Sequence, residues 1–308
     1  MFAWIYILLA AFVSFIIAAN NSANSVGALY GSEITSYYKA AIISGFFVML
    51  GVILEGWKMT GAIGGGIVEG ELSAFMSIII LITTLILLFL FTYLSMPLSA
   101  SQIMVGAVIG VALFSNLLIN SSFLSLVIFS WVITFLAGLV FAFIIYRIIF
   151  RLAEGMRIFS LSKFYTVSLY FGAAFIAYTL GANTIGLIAS LTPSYWVYII
   201  AGISAFLGTV LFGKRTVRTV GKNITYLDPP RAFAALLGGA LIVELFTQIH
   251  LPVSMTQAVI GGIVGTGFVK GYREINKTTI KNLGLSWLLA PLLAFGLAYI
   301  LMDAFLQL

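Results

Sequence analysis

The chain has 308 residues, of which 62% are hydrophobic and only 8% charged, against about 25% charged in soluble domains. So few charges cannot solvate a globular surface of this size, which excludes a soluble enzyme or binding module and makes lipid the main solvent. The net charge of +6 needs no nucleic acid, because basic cytoplasmic loops account for it, and a chain without cysteine has no disulfide and no thiolate metal site.

Apolar runs of about 20 residues, enough to cross the hydrocarbon core, fall at ten places. They are 2–19, 37–56, 73–95, 98–118, 122–147, 164–182, 194–213, 231–249, 253–269 and 283–307. The first starts almost at Met1 without a basic segment and reads as a span rather than a cleaved signal peptide. It runs into Asn20, Asn21 and Asn24, placed here at a helix break. An amide offers N–H to an anion or C=O to a cation; the plainer reading is a helix cap followed by a polar loop. Gly61–Gly70, "GAIGGGIVEG", lacks the Lys-Ser/Thr of a P-loop and reads as a flexible turn or half-helix. The fourth and ninth runs are short, start at a proline and are rich in glycine and hydroxyls, so each reads as a span or as a broken or re-entrant helix. Within the eighth, Glu244 is an intramembrane carboxylate and a functional candidate by default, suited to a coupling proton or to sodium. Gln248 shares its helix face. The alternative is a protonated glutamate bonded to a neighbouring helix. Glu55 and Asp303 lie near span ends, His250 at a loop edge, and Trp4, Trp57 and Trp196 read as interfacial anchors.

Basic residues orient these spans. Lys39; Arg147, Arg151, Arg157 and Lys163; Lys214, Arg215, Arg218, Lys222 and Arg231; and Lys270, Arg273, Lys277 and Lys281 all fall after odd-numbered runs, and only Lys58 on the other side. Positive charge marks the cytoplasm, so both termini are expected outside, in a multi-pass protein of the cell membrane.

The chain also repeats itself. "MPLSASQIMVGAVIGVALF" (Met96–Phe114) and "LPVSMTQAVIGGIVGTGFV" (Leu251–Val269) align at an offset of 155 residues. Pro97, Ser99, Gln102, Gly106 and Gly110 match Pro252, Ser254, Gln257, Gly261 and Gly265, and Ser101 matches Thr256 in kind. Ala182-Asn183 echoes Ala19-Asn20. The expected organisation is a first repeat over 1–150, a short cytoplasmic linker at 151–163 and a second repeat over 164–308. With five spans each, an odd number, the halves enter from opposite faces. The fold class is therefore an all-α polytopic membrane protein of about ten transmembrane segments in two inverted repeats, a recurrent plan of secondary transporters. Serines behind a proline cap a helix whose N-terminus attracts anions. Ser99, Ser101 and Gln102 with Ser254, Thr256 and Gln257 would form a two-sided cradle for a tetrahedral oxyanion, completed by Asn20, Asn24 and Asn183. The alternative is that these small residues only let helices pack closely.

"AANNSAN" (Ala18–Asn24), "GANTIGL" (Gly181–Leu187), the two Pro-x-Ser segments, "TVGKNITYLDPPRAFAA" (Thr219–Ala235) and "SWLLAPLLAFGLAYIL" (Ser286–Leu301) together resemble the inorganic phosphate transporter family, over nearly the whole chain. The resemblance implies symport of inorganic phosphate with sodium or protons by alternating access. It makes Asn21 and Thr184 the counterparts of the family's cation-binding aspartates, where a sodium ion is expected if one is used; no other cofactor is expected. Leu187 stands where the family pattern has Asn, and Gln102 and Gln257 where many members have His. Sulfate transport is the alternative within the family, and an anion channel the alternative outside it. An enzyme is not expected, since one histidine and no paired carboxylates in one span leave little acid–base chemistry. A homodimer is a further expectation.

Overall fold

The computed structural model describes residues 2–93, 99–214, 216–217, 228–270 and 277–307. Pro97, Arg215, Arg218, Lys222 and Arg273 lie outside the described residues. All the regular elements described are helical. They are α1 (Phe2–Gly31), α2 (Tyr37–Glu55), α3 (Ala74–Tyr93), α4 (Ala100–Phe114), α5 (Ser121–Ala153) and α6 (Ile158–Thr179). A π-helical turn (Leu180–Ile185) leads from α6 into a short α7 (Gly186–Ala189), followed by α8 (Tyr195–Leu211), α9 (Pro229–Gln248), α10 (Met255–Lys270) and α11 (Lys277–Leu306). Among the described residues, seven helices are long and apolar enough to cross a membrane, and Ala100–Phe114, Tyr195–Leu211 and Met255–Val269 are shorter apolar helices. This is a multi-pass membrane protein.

The asparagines of the first motif do not break the chain, contrary to the expectation above. α1 stays α-helical from Phe2 to Gly31. The reason is local: Ser14, Asn21 and Ser22 each donate to a carbonyl one turn back, Ala10 O at 2.7 Å, Ile17 O at 3.0 Å and Ala19 O at 2.7 Å. The helix absorbs its own polar side chains this way. In the second motif the backbone does change, from α to π winding across Leu180–Ile185, yet it stays wound. Such insertions are rare and often sit at functional sites.

Glycines bring the two halves together. A Cβ on Gly106 or Gly110 of α4 would lie 2.2 Å from Pro291 O and 2.4 Å from Phe295 O of α11. A Cβ on Gly261 or Gly265 of α10 would lie 2.2 Å from Phe135 O and 2.2 Å from Leu139 O of α5. Each half thus lends one small-residue helix to a long helix of the other, the packing that small-xxx-small spacing permits.

Two helix ends are set by left-handed residues. α9 closes with His250 at φ 63°, His250 N–H on Thr247 O at 3.1 Å and Leu251 N–H on Phe246 O at 2.9 Å, the paired bonds of a Schellman cap. Asn116, at φ 55°, does the same after α4, with Leu117 N–H on Ala112 O at 2.9 Å. His250 therefore fixes the turn into the Pro252 segment. His250→Gly is expected to keep this turn, whereas His250→Ile should lower the melting midpoint in detergent by the equivalent of about 1–2 kcal/mol.

Gly61–Gly70 is neither a half-helix nor a loose turn. Ile63, Ile67 and Val68 are buried, and the segment pairs with 118–120 through Glu69 N–H on Leu118 O at 2.9 Å and Asn120 N–H on Ile67 O at 3.0 Å.

Candidate anion-binding site

α4 and α10 begin in the same way. Ser99 caps α4 by accepting from Gln102 N–H at 3.3 Å, and Ser254 caps α10 by accepting from Gln257 N–H at 3.2 Å. All six predicted residues of the two segments are buried: Ser99, Ser101, Gln102, Ser254, Thr256 and Gln257. The segments also meet, because the Ser101 hydroxyl donates to Val253 O at 2.8 Å. First-turn N–H groups have no acceptor in their own helix and carry the positive end of its dipole, and the Ser101–Val253 contact brings two such starts together.

The segment leading into α10 is held by residues from across the chain. Asn183, fully buried on the π-helical turn, donates to Thr247 Oγ1 at 3.0 Å and Leu251 O at 3.0 Å. Its own carbonyl accepts from Val253 N–H at 3.1 Å. The Trp131 indole of α5 donates to Pro252 O at 3.2 Å. Every carbonyl from Leu251 to Val253 therefore has a donor from another element. Ser101→Ala removes one of these and is expected to destabilise by about 1–3 kcal/mol, read as a lower melting midpoint of the purified protein.

The remaining predicted residues divide. Thr184, adjacent to Asn183, is buried and its hydroxyl has no hydrogen-bond partner among the described residues. Asn21 is different: its amide donates to Ile17 O and its carbonyl accepts from Asn24 Nδ2 at 3.3 Å, so α1 itself uses both ends. Asn20 and Asn24 are half-buried on α1, which packs against α3, α6 and α8 and touches the π-helical turn and α10. Glu244 belongs to a separate cluster where the ends of α2 and α9 meet. Its carboxylate accepts from Gln248 Nε2. Gln248 Nε2 also donates to Glu55 Oε2 at 3.0 Å, and Lys58 Nζ reaches Glu55 Oε2 at 2.9 Å and Gln248 Oε1 at 2.7 Å. Lys58→Met leaves the adjoining Glu55 and Glu244 without their cation. For so partly exposed a pair the expected cost is about 1 kcal/mol, largely recovered in Glu55→Gln/Lys58→Met by melting in detergent.

Trp131, Thr247 and Tyr6 escaped the sequence reading. Tyr6 is buried, donates to Ile188 O at 3.1 Å and accepts from Thr192 N–H at 3.1 Å. The one available signal was a tryptophan in mid-span, where an indole N–H needs a partner.

The phosphate transporter family model matches this chain twice, over residues 17–161 and 159–298. A protein of Methanocaldococcus jannaschii named as a phosphate permease is 31% identical over 299 residues, 96% of this chain and 95% of that one. The sulfate permease CysP of Bacillus subtilis is 27% identical over 311 residues, 98% of this chain and 87% of that one. Among solved structures, "The sodium-dependent phosphate transporter" shares the fold with a TM-score of 0.88 at 21% identity, covering 98% of this chain and 99% of that one.

Proposed function

The chain belongs to the phosphate transporter family, and on that premise we propose that it moves inorganic phosphate across the cell membrane with sodium or a proton, by alternating access. The observation that carries this reading is the contact of the two capped helix starts, Ser101 Oγ on Val253 O at 2.8 Å. It joins the matching segments of the two halves at a pair of anion-attracting helix ends. α4 and α10, of 15 and 16 residues, are about 22–24 Å long. That is shorter than the roughly 30 Å hydrocarbon core, as suits helices that start inside it. Seven long and three short apolar helices support a count of ten crossings, which puts both termini on one side; the placing of that side outside rests on the basic residues alone.

In this reading Ser99, Ser254 and Thr256 with the first-turn N–H groups replace the water of the anion, Ser101, whose hydroxyl proton goes to Val253 O, locks the two helix starts together, and Asn183 positions the α10 side. A fixed cationic side chain is not required and would slow release. Thr184, with an unpartnered hydroxyl, fits a neutral oxygen ligand for sodium. Asn21, whose amide is engaged within α1, fits less well. Glu244 is the candidate for a proton-coupled cycle.

Labelled phosphate uptake into proteoliposomes, under a sodium gradient and a proton gradient imposed separately, tests the proposal. Saturable uptake with one gradient is expected, and its abolition in Ser101→Ala/Thr256→Ala. Full activity of that double variant rejects the site, and single-channel currents reject the transporter mechanism. The likeness to a sulfate permease favours sulfate as the second reading; uptake of labelled sulfate without phosphate uptake would establish it.

A further inference from the structure

The sequence Ser-x-x-Gln at a helix start is that of a capping box. The serine accepts from the N–H of the third helical residue, and the glutamine reaches back to the N–H of the cap. α4 and α10 both make the first bond and both omit the second. Gln102 is 2% and Gln257 5% exposed, and the Oε1 of each is buried with no hydrogen-bond partner among the described residues. A buried acceptor left this way costs about 1–3 kcal/mol, and the same omission stands at matching positions of both halves.

These acceptors sit one turn into the helix starts that attract an anion. A bare anion has only acceptors of its own and would be repelled by two carbonyl oxygens. An oxyanion that carries a proton offers an O–H donor. Sulfate and selenate at neutral pH carry none; phosphate and arsenate do. Building on the reading of this region as the phosphate site, we propose that Gln102 and Gln257 determine its specificity, each through a carbonyl oxygen that accepts a hydrogen bond from an X–OH group of the bound oxyanion. The site then favours protonated oxyanions over sulfate by the presence of a donor, and not by size or total charge. A site built to bond a substrate hydroxyl rejects analogues that lack it far more strongly than an apolar pocket rejects a misfit.

The test is competition against labelled phosphate uptake in proteoliposomes holding the full chain, with arsenate, sulfate and selenate as competitors at one neutral pH. In the wild type, arsenate is expected to compete at least about a hundredfold better than sulfate or selenate. In Gln102→Met/Gln257→Met that ratio should fall at least about tenfold, whereas Gln102→Glu/Gln257→Glu, which keeps the acceptor oxygens, should retain discrimination at lower affinity. If the double methionine variant is not recovered folded, each single variant should lower the ratio about threefold or more. Phosphate uptake that sulfate and selenate inhibit as well as arsenate overturns this inference and leaves the transport reading standing. So does an unchanged ratio in the folded methionine variants. A wild type that takes up no phosphate overturns both.

Discussion

Asn183→Leu is expected to reduce uptake below detection and to destabilise the protein by about 3 kcal/mol or more. One side chain makes three hydrogen bonds at once, to Thr247 Oγ1, Leu251 O and Val253 N–H, in a place fully shielded from solvent. Leucine keeps the branching at Cγ but is larger, and it leaves Leu251 O and Val253 N–H unpaired, each at about 1–3 kcal/mol. The function suffers further because these bonds place Val253 O, the acceptor of Ser101. Asn183→Asp separates shape from donation. It retains the acceptor for Val253 N–H, loses both donors and buries a charge, so it too should fail. Initial uptake rates and a melting midpoint measured on the same preparation check both variants; wild-type uptake in Asn183→Asp would show that the donors are dispensable.

The second large effect is expected at the crossing of α2 with the end of α6. A Cβ on Gly181 would lie 2.0 Å from Val48 O, and one on Gly51 2.0 Å from Tyr178 O. Both obstacles are backbone, which cannot rotate aside. Gly181→Val must push α2 away from the π-helical turn that carries Asn183 and Thr184. The expected cost is about 3 kcal/mol, the upper part of the range for overpacking, with loss of transport. Gly27→Ala on α1 is the control, since nothing lies within 4 Å of its Cβ position. Helix propensity there predicts a gain of up to about 1 kcal/mol. Equal melting midpoints for Gly181→Val and Gly27→Ala would refute the packing argument.

Much of the helical framework was legible because lipid imposes a simple rule: long apolar runs become helices. The capped starts of α4 and α10 were legible too, since Ser99 and Ser254 stand in a duplicated pattern whose local chemistry is short-range. Asp228 before Pro229-Pro230 caps α9 by the same short-range chemistry, accepting from Arg231 N–H at 3.1 Å, a cap not anticipated above. The asparagine motifs were harder. Whether Asn21 breaks a helix or bonds back to Ile17 O depends on competition between a cap and a turn of helix, and composition does not decide it. The π winding at Leu180–Ile185 leaves no mark in an apolar pattern. Trp131 and Tyr6 were missed because their partners lie 121 and 182 residues away. Contacts of that separation follow from the tertiary arrangement and not from spacing along the chain.

The exchange of glycine-faced helices between halves bears on how the protein is made. α4 enters the bilayer early, but the carbonyls that its Gly106 and Gly110 fit belong to Pro291 and Phe295, which emerge from the ribosome more than half a chain later. Until then α4 has a groove and no tenant. A fragment that stops before α11 is thus an orphan for membrane quality control, and supplying α11 as a separate polypeptide should rescue it from proteolysis.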